Sequence, residues 1–255
     1  MELKISIITI NYNNADGLHQ TIKSVLKQTY TDIQYLVIDG DSTDDSKSIL
    51  AQYQREISFS VSERDKGIYE AMNKGIRAAV GDYLLFLNSG DVLVTKSVIS
   101  ESVAAGLNAD LVSANMHFAD GDRSYIWTPP ESISFGLFYH SSLPHPSTFI
   151  KRTLFNTVGY YDERLRIVSD WKFTFLAAYK YNCSYNHIDV LLAEYKADGI
   201  SSDPKNLPAI MVERNLVLTT YFSNFLMEYQ ELEAARKQLS AFSKILKIKK
   251  FFRLS

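Results

Sequence analysis

Apolar residues gather in short runs at residues 5–10, 34–39, 58–62 and 83–88, and each run ends at or beside a polar or acidic residue. Between them lie segments at 17–29, 44–54 and 68–80 with apolar positions at helical spacing, as Leu18, Ile22, Val25 and Leu26 show in the first. This alternation predicts a parallel sheet with crossover helices, a Rossmann-like half whose ligands bind at the carboxyl ends of the strands. The remainder is less regular. Residues 110–118 and 184–193 predict strands, 170–180 a helix, and 125–146 a loop region rich in proline and aromatic residues. From Pro208 the pattern stays helical nearly to the end. The expected organisation is a domain over 1–203, with halves at 1–95 and 96–203, followed by a helical extension over 204–255.

Composition narrows the partners. A chain of 255 residues, 46% hydrophobic, can bury a core of its own. A formal net charge of -2 lacks the cationic excess of a nucleic-acid binder and turns attention to small molecules. The single cysteine, Cys183, excludes a disulfide framework and fits a reducing, cytoplasmic compartment. No stretch approaches the ~20 uncharged apolar residues of a membrane span. The opening Met1-Glu2-Leu3-Lys4 runs straight into a short apolar strand, which is no signal-peptide core.

Candidate chemistry clusters at the predicted strand ends. The first strand stops at Thr9-Ile10-Asn11-Tyr12-Asn13-Asn14 without the glycines of a dinucleotide fingerprint or a P-loop. Asn11 and Asn13 either offer amides to a base or ribose or form an Asx turn. The second strand ends Ile38-Asp39-Gly40-Asp41, where Asp39 reads as a nucleoside acceptor, while Asp44 and Asp45 read as helix-start charges. Asp65-Lys66-Gly67 leads into a helix carrying Lys74; Asp65 suits a base or ribose, and Lys74 a diphosphate. The apolar run Leu84-Leu85-Phe86-Leu87 passes into Asn88-Ser89-Gly90-Asp91, holding a carboxylate at the sheet edge. A buried acid needs a partner, and a divalent cation bridging a diphosphate supplies one, although the same residues also make good turn chemistry.

These ordered motifs resemble the inverting glycosyltransferases of the GT-A fold, the family that includes cellulose and chitin synthase domains and bacterial exopolysaccharide enzymes of the colanic-acid type. The likeness runs from about Ile5 to Ser201. It implies an α/β GT-A fold with a mixed, mainly parallel central sheet flanked by helices, and a C-terminal helical extension. It implies transfer of a sugar from a nucleotide diphosphate sugar, UDP-linked, to a glycan or lipid-linked acceptor. Thr9, Asn11, Asn13, Asp39, Asp65, Gly67, Asn73, Lys74 and Asn88 would then hold the nucleotide, and Asp91 would hold Mn2+ or Mg2+. Asn88 stands where the family commonly has the first acid of Asp-x-Asp, so one negative charge is missing. In Ile167-Val168-Ser169-Asp170-Trp171, the resemblance makes Asp170 the base that deprotonates the acceptor and lets Trp171 stack on its sugar; read alone, Ser169 and Asp170 cap a helix. His145 matches a position near the active site, and Asp198-Gly199-Ile200-Ser201 a loop that closes over the donor. The rival readings are a sugar nucleotidyltransferase, disfavoured by the absent glycine-rich loop, and a binding module without turnover.

In the tail, Ala241, Ile245, Ile248 and Phe252 interleave with Lys244, Lys247, Lys249, Lys250 and Arg253. That basic amphipathic pattern suits docking on an anionic membrane, at the inner face of the plasma membrane, or packing on the chain's own domain or on a second subunit of a homodimer. If the tail docks on membrane, the full chain sediments with anionic vesicles and a chain ending near Ala241 does not; equal sedimentation of both rejects the membrane role.

Overall fold

The computed structural model describes residues 3–120, 123–196 and 199–252, the side chains of 120, 123 and 243–252 excepted. The first half follows from its pattern. Strand β1 (Ile5–Asn11) is buried along its whole length, as a central strand covered on both faces must be. Helix α1 (Ala15–Leu26) begins where the Asn14 side chain accepts from Gly17 N at 3.1 Å. Then come β2 (Ile33–Asp39), α2 (Ser46–Gln52), β3 (Phe59–Ser62), α3 (Ile68–Ala78) and β4 (Tyr83–Phe86). β1 pairs in parallel with β2 and β4, and β2 with β3. The register sets Asn11 beside Asp39 and Asp39 beside Ser62, so the polar strand ends share one edge of the sheet.

The second half adds β5 (Val92–Leu93), α4 (Val98–Gly106), β6 (Leu111–Asp120), β7 (Arg123–Trp127), α5 (Phe135–His140), β8 (Thr148–Lys151), α6 (Leu154–Val158), α7 (Ser169–Tyr179) and β9 (Tyr185–Lys196). Strands follow the order β3-β2-β1-β4-β8-β6-β9-β5, with β7 on β6. The parallel run ends where β8 pairs antiparallel with β4, giving the mixed α/β sheet flanked by helices. Residues 125–146 are not the loop their prolines and aromatics predicted. They hold the end of β7, all of α5 and the start of a 3-10 turn, because Phe135 and Phe138 pack on Phe175 of α7 with ring centroids 5.2 and 4.8 Å apart. The Ser134 hydroxyl caps α5 by accepting from Leu137 N at 3.1 Å.

Contacts divide the chain into Met1–Ile210 and Met211–Ser255. The last helices are α8 (Leu207–Tyr221) and α9 (Ser223–Phe252). In the second unit Val217, Leu218 and Phe222 are buried, while Met211, Val212, Leu216, Phe225, Met227, Leu239 and Phe242 are exposed. The lysines of the basic tail lie on α9, but their side chains and Arg253 fall outside the described residues. Among the described residues no helix is long and apolar enough to cross a membrane.

One buried amide ties α3 to the segment before α7. Asn73 Nδ2 donates to Tyr161 O at 3.0 Å and to Glu163 Oε1 at 2.8 Å, and its Oδ1 accepts from Tyr161 N at 3.0 Å. Asn73, expected at the nucleotide, here satisfies the backbone of Tyr161 and meets the Glu163 carboxylate. Asn73→Ala leaves those buried groups unpaired and is expected to cost about 1–3 kcal/mol, read as a lower urea midpoint. Unchanged stability with weakened nucleotide binding would restore the original expectation.

Candidate active site

Several strand-end residues expected at the nucleotide brace the protein. The Asp39 carboxylate is 0% exposed. It accepts from Asn11 Nδ2 at 2.6 Å, Ser42 N at 3.0 Å, Ser42 Oγ at 2.5 Å and Ser62 Oγ at 2.6 Å. Burial pushes its carboxyl up, but these donors outweigh it and hold the group below its ordinary value. Buried Asn11 also donates to Ser42 Oγ at 3.2 Å and accepts from Ser89 Oγ at 2.7 Å. Buried Thr9 shares a hydrogen bond of 3.0 Å with Tyr35. Thr9, Asn11 and Asp39, expected as nucleotide contacts, here serve as supports, since a buried polar group must satisfy itself inside the protein. Exposed Asn13 has a left-handed backbone, φ 50°, and its Oδ1 accepts from Thr43 N at 2.8 Å, which fixes the loop after β2.

Other groups lie at the same edge. Tyr12 is 68% exposed. A Cβ at Gly40 would lie 3.2 Å from the Tyr12 ring and 3.4 Å from Asp65 Oδ2, so glycine lets the ring and the carboxylate converge. Asp65 Oδ1 accepts from Lys74 Nζ at 2.6 Å, while Oδ2 is buried with no hydrogen-bond partner. Burial raises the Asp65 carboxyl, against the opposing pull of Lys74. Lys74 also pairs with Glu63 at 2.7 Å, so the lysine expected at a diphosphate stands between two acids. Gly67, exposed and extended at φ 166°, has open space where a Cβ would stand.

The turn after β4 is tightly made. Gly90 takes φ +108°, a conformation that favours glycine. The Thr21 hydroxyl of α1 accepts from Gly90 N at 3.0 Å and donates to Asp91 O at 2.8 Å. Asp91 is only 4% exposed, and its Oδ2 accepts from Asn88 N at 3.0 Å. Asn88 Oδ1 is buried and has no hydrogen-bond partner, which marks it as an acceptor awaiting a cation or a donor. No group of three or more His, Cys, Asp or Glu is placed to hold a metal among the described residues. Asn88 Oδ1 and Asp91 therefore fit a cation carried chiefly by diphosphate oxygens, not one held in an all-protein cage.

Asp170 meets this edge from the other half. It sits in the first turn of α7 with its side chain 26% exposed. Its Oδ1 accepts from the Tyr69 hydroxyl at 2.7 Å, and its Oδ2 lies 3.7 Å from His145 Nδ1. Tyr69 opens α3, directly after the Asp65–Gly67 loop, and its hydroxyl also reaches Ile167 O. Burial, then the nearby Asp170 charge, raise the Tyr69 phenol well above its ordinary value, so it stays a donor. The His145 ring stacks on Phe86 at the end of β4 with centroids 5.1 Å apart. Burial pulls its imidazole down, partly offset by Asp170. A neutral ring that accepts at Nε2 from Tyr161, 3.0 Å away, turns its Nδ1 proton toward Asp170. Through Tyr69 and His145, Asp170 is joined to the β3–α3 loop and to the strand that carries Asn88 and Asp91. Neither tyrosine was singled out from sequence, although Tyr69 lies between Asp65-Lys66-Gly67 and Lys74.

The start of α7 is clasped from outside. Asp162 accepts from Arg164 Nε at 2.8 Å and Nη2 at 2.9 Å, and from Lys172 Nζ at 2.6 Å. Arg164 first, and Lys172 with it, hold the Asp162 carboxyl far below the usual range against its burial. Ser169 Oγ accepts from Asp162 N at 2.5 Å. Trp171 is corrected: it is buried, its indole donates to Phe138 O at 2.8 Å and packs edge-on to Phe175, so it belongs to the core and offers no face to a sugar. Ser201 is exposed on a turn closed by Ser202 N to Gly199 O at 3.0 Å; Asp198 of the expected closing loop lies outside the described residues.

Comparisons with known proteins agree with this architecture. The family model described as glycosyl transferase family 2 matches residues 6–168. An uncharacterized glycosyltransferase of Mycobacterium tuberculosis is 34% identical over 203 residues, which cover 78% of this chain and 77% of the relative. A PGL/p-HBAD biosynthesis glycosyltransferase of Mycobacterium bovis is 29% identical over 201 residues, covering 76% and 77%. Among solved structures, S. aureus TarS 1–349 in complex with UDP superposes with a TM-score of 0.64 at 23% identity, over 76% of this chain and 60% of that one. The mannosyltransferase PcManGT from Pyrobaculum calidifontis, in complex with GDP-Man and Mn2+, gives a TM-score of 0.59 at 15% identity, over 79% and 59%. This chain thus spans about three fifths of each of those two structures, and at such identity they speak for the GT-A fold alone. With the family matched over most of the domain, the chain belongs to glycosyl transferase family 2.

Proposed function

We propose that the protein transfers a sugar, with inversion at the anomeric carbon, from a UDP-sugar to a hydroxyl of a glycan or lipid-linked acceptor in cell-surface polysaccharide synthesis, acting at the cytoplasmic face of the membrane. The observation that carries this reading is the position of the Asp170 carboxylate, held by Tyr69 and faced by His145 beside the β4 edge. An inverting displacement needs one base on the face opposite the leaving group. Asp170 fills that role: one oxygen stays with the Tyr69 hydroxyl while the other takes the acceptor proton. His145, neutral and wedged between Phe86 and Asp170, orients the carboxylate without neutralising it.

The donor would lie along the strand-end groups of the first half. The exposed Tyr12 ring offers a stacking face to the base, and the unpartnered Asp65 Oδ2 would accept from the imide N–H of uracil. Asn88 Oδ1, with Asp91, would hold Mn2+ or Mg2+. The cation, when bound, offsets charge on the departing diphosphate. That PcManGT was solved with GDP-Man and Mn2+, and TarS with UDP, supports a donor and a metal of this kind.

Asp170→Asn is expected to lower kcat by about 10²–10⁴ in an assay of UDP release from UDP-sugars with an acceptor, while UDP affinity is kept. Tyr69→Phe should lower kcat less, with KM for donor unchanged. Full turnover by Asp170→Asn would sink the assignment, and tight UDP-sugar binding with no release under any acceptor would favour a binding module. Removal of divalent cations is expected to abolish release and Mn2+ to restore it, with Asn88→Ala needing roughly tenfold more Mn2+ for half-maximal rate. Equal activity in chelator and in Mn2+ would count against the cation.

A further inference from the structure

Outside the residues described so far, a recess of about 390 Å³ is lined by α1 on one side and by residues 92–96 on the other. That volume is within the range of small-molecule sites, about 300–1,000 Å³. Lys23 and Lys27 stand one turn apart on the same face of α1, and Lys96 completes the cationic wall. The arrangement is braced: Gln28 Nε2 donates to Thr95 O at 2.7 Å, and Thr29 N to Lys96 O at 2.7 Å. None of the three lysines has an ion-pair partner among the described residues, and no acid lines the recess. Elsewhere Lys47, Lys74 and Lys172 each pair with an acid within 2.7 Å. Behind the lysines Val92, Leu93 and Val94 give the recess an apolar strip, and His19 lines it with Nδ1 3.4 Å from the Tyr53 hydroxyl.

We infer that this recess binds a phosphate or diphosphate group, borne either by a soluble molecule or by a lipid headgroup. Three lysines around one recess, with no acid among its lining residues, can meet the several oxygens of such a group with charge-assisted hydrogen bonds. The apolar strip beside them takes the neighbouring part of the ligand out of water. The inference stands apart from the transfer reaction and needs none of its residues.

The test titrates inorganic pyrophosphate into the full chain with chelator and saturating UDP present, so that the nucleotide cleft does not report. The parent protein should bind with an affinity that falls as salt is added. K23A/K27A/K96A should bind roughly tenfold or more weakly, with Tm and UDP affinity unchanged. Should the triple variant melt early, Lys27→Glu alone supplies the same comparison. Vesicles of phosphatidylglycerol and of phosphatidylcholine form the second arm. Retention on the anionic vesicles that the triple variant loses identifies a lipid headgroup; loss of pyrophosphate binding with retention unchanged identifies a soluble phosphate. The inference is overturned if the parent binds neither probe, or if the variants bind both as the parent does.

Discussion

The hydrogen bond from Tyr69 to Asp170 is the constraint on which the site depends. Residue 69 opens the helix that follows the third strand, and residue 170 opens a helix a hundred positions later, so one short contact of 2.7 Å decides how the two halves of the domain meet. The bond is strong because its surroundings are dry: the phenol is buried and keeps its proton, and the carboxylate accepts in a setting that water screens poorly. Asn73, one turn along the same helix, repeats the tie through Tyr161. His145 adds a third link through Phe86. A carboxylate held this way is oriented before any substrate arrives.

The parallel half of the sheet was legible because its strands are buried on both faces and its helices carry a one-sided stripe, which leaves period and run length as clean signals. The bracing roles were hidden for one reason. Thr9, Asn11, Asp39 and Asn73 have the chemistry of ligand contacts, but a polar side chain serves equally to satisfy buried neighbours, and a single sequence does not separate the two. The Asp39–Ser42 spacing was the one available hint, since an Asx turn three residues long satisfies the acid locally. Trp171 misled for the opposite reason. Its spacing of four from Phe175 marks a shared helix face, and that periodicity outweighs the habit of reading tryptophan beside a catalytic acid as a sugar platform. The aromatic stretch before His145 was read as loop because its prolines dominate locally, whereas Phe135 and Phe138 find their partners only in three dimensions.

Charge within the domain is largely spent internally. Lys74 is bound by Glu63 and Asp65, and Asp162 by Arg164 and Lys172, while one carboxylate oxygen of Asp65 and the amide oxygen of Asn88 are buried without a hydrogen-bond partner. The Asp162 clasp also sets an acid limit on the domain. A carboxyl held below its unfolded value adds stability that is complete above about pH 4 and fades as the pH falls further. Its loss would release the first turn of α7, which carries the base.

The pairing of β5 with β9 has a consequence for how the chain matures on the ribosome. Val92 and Leu93 close against Glu194 and Ala193, and β6 aligns with β9 across some seventy residues. The parallel half draws its partners from neighbouring βα units, so it can condense as soon as it emerges. The far edge waits for the last strand. Until residue 196 has left the exit tunnel the nascent protein holds a finished nucleotide half and an open sheet margin, a stage at which a chaperone would have most to cover.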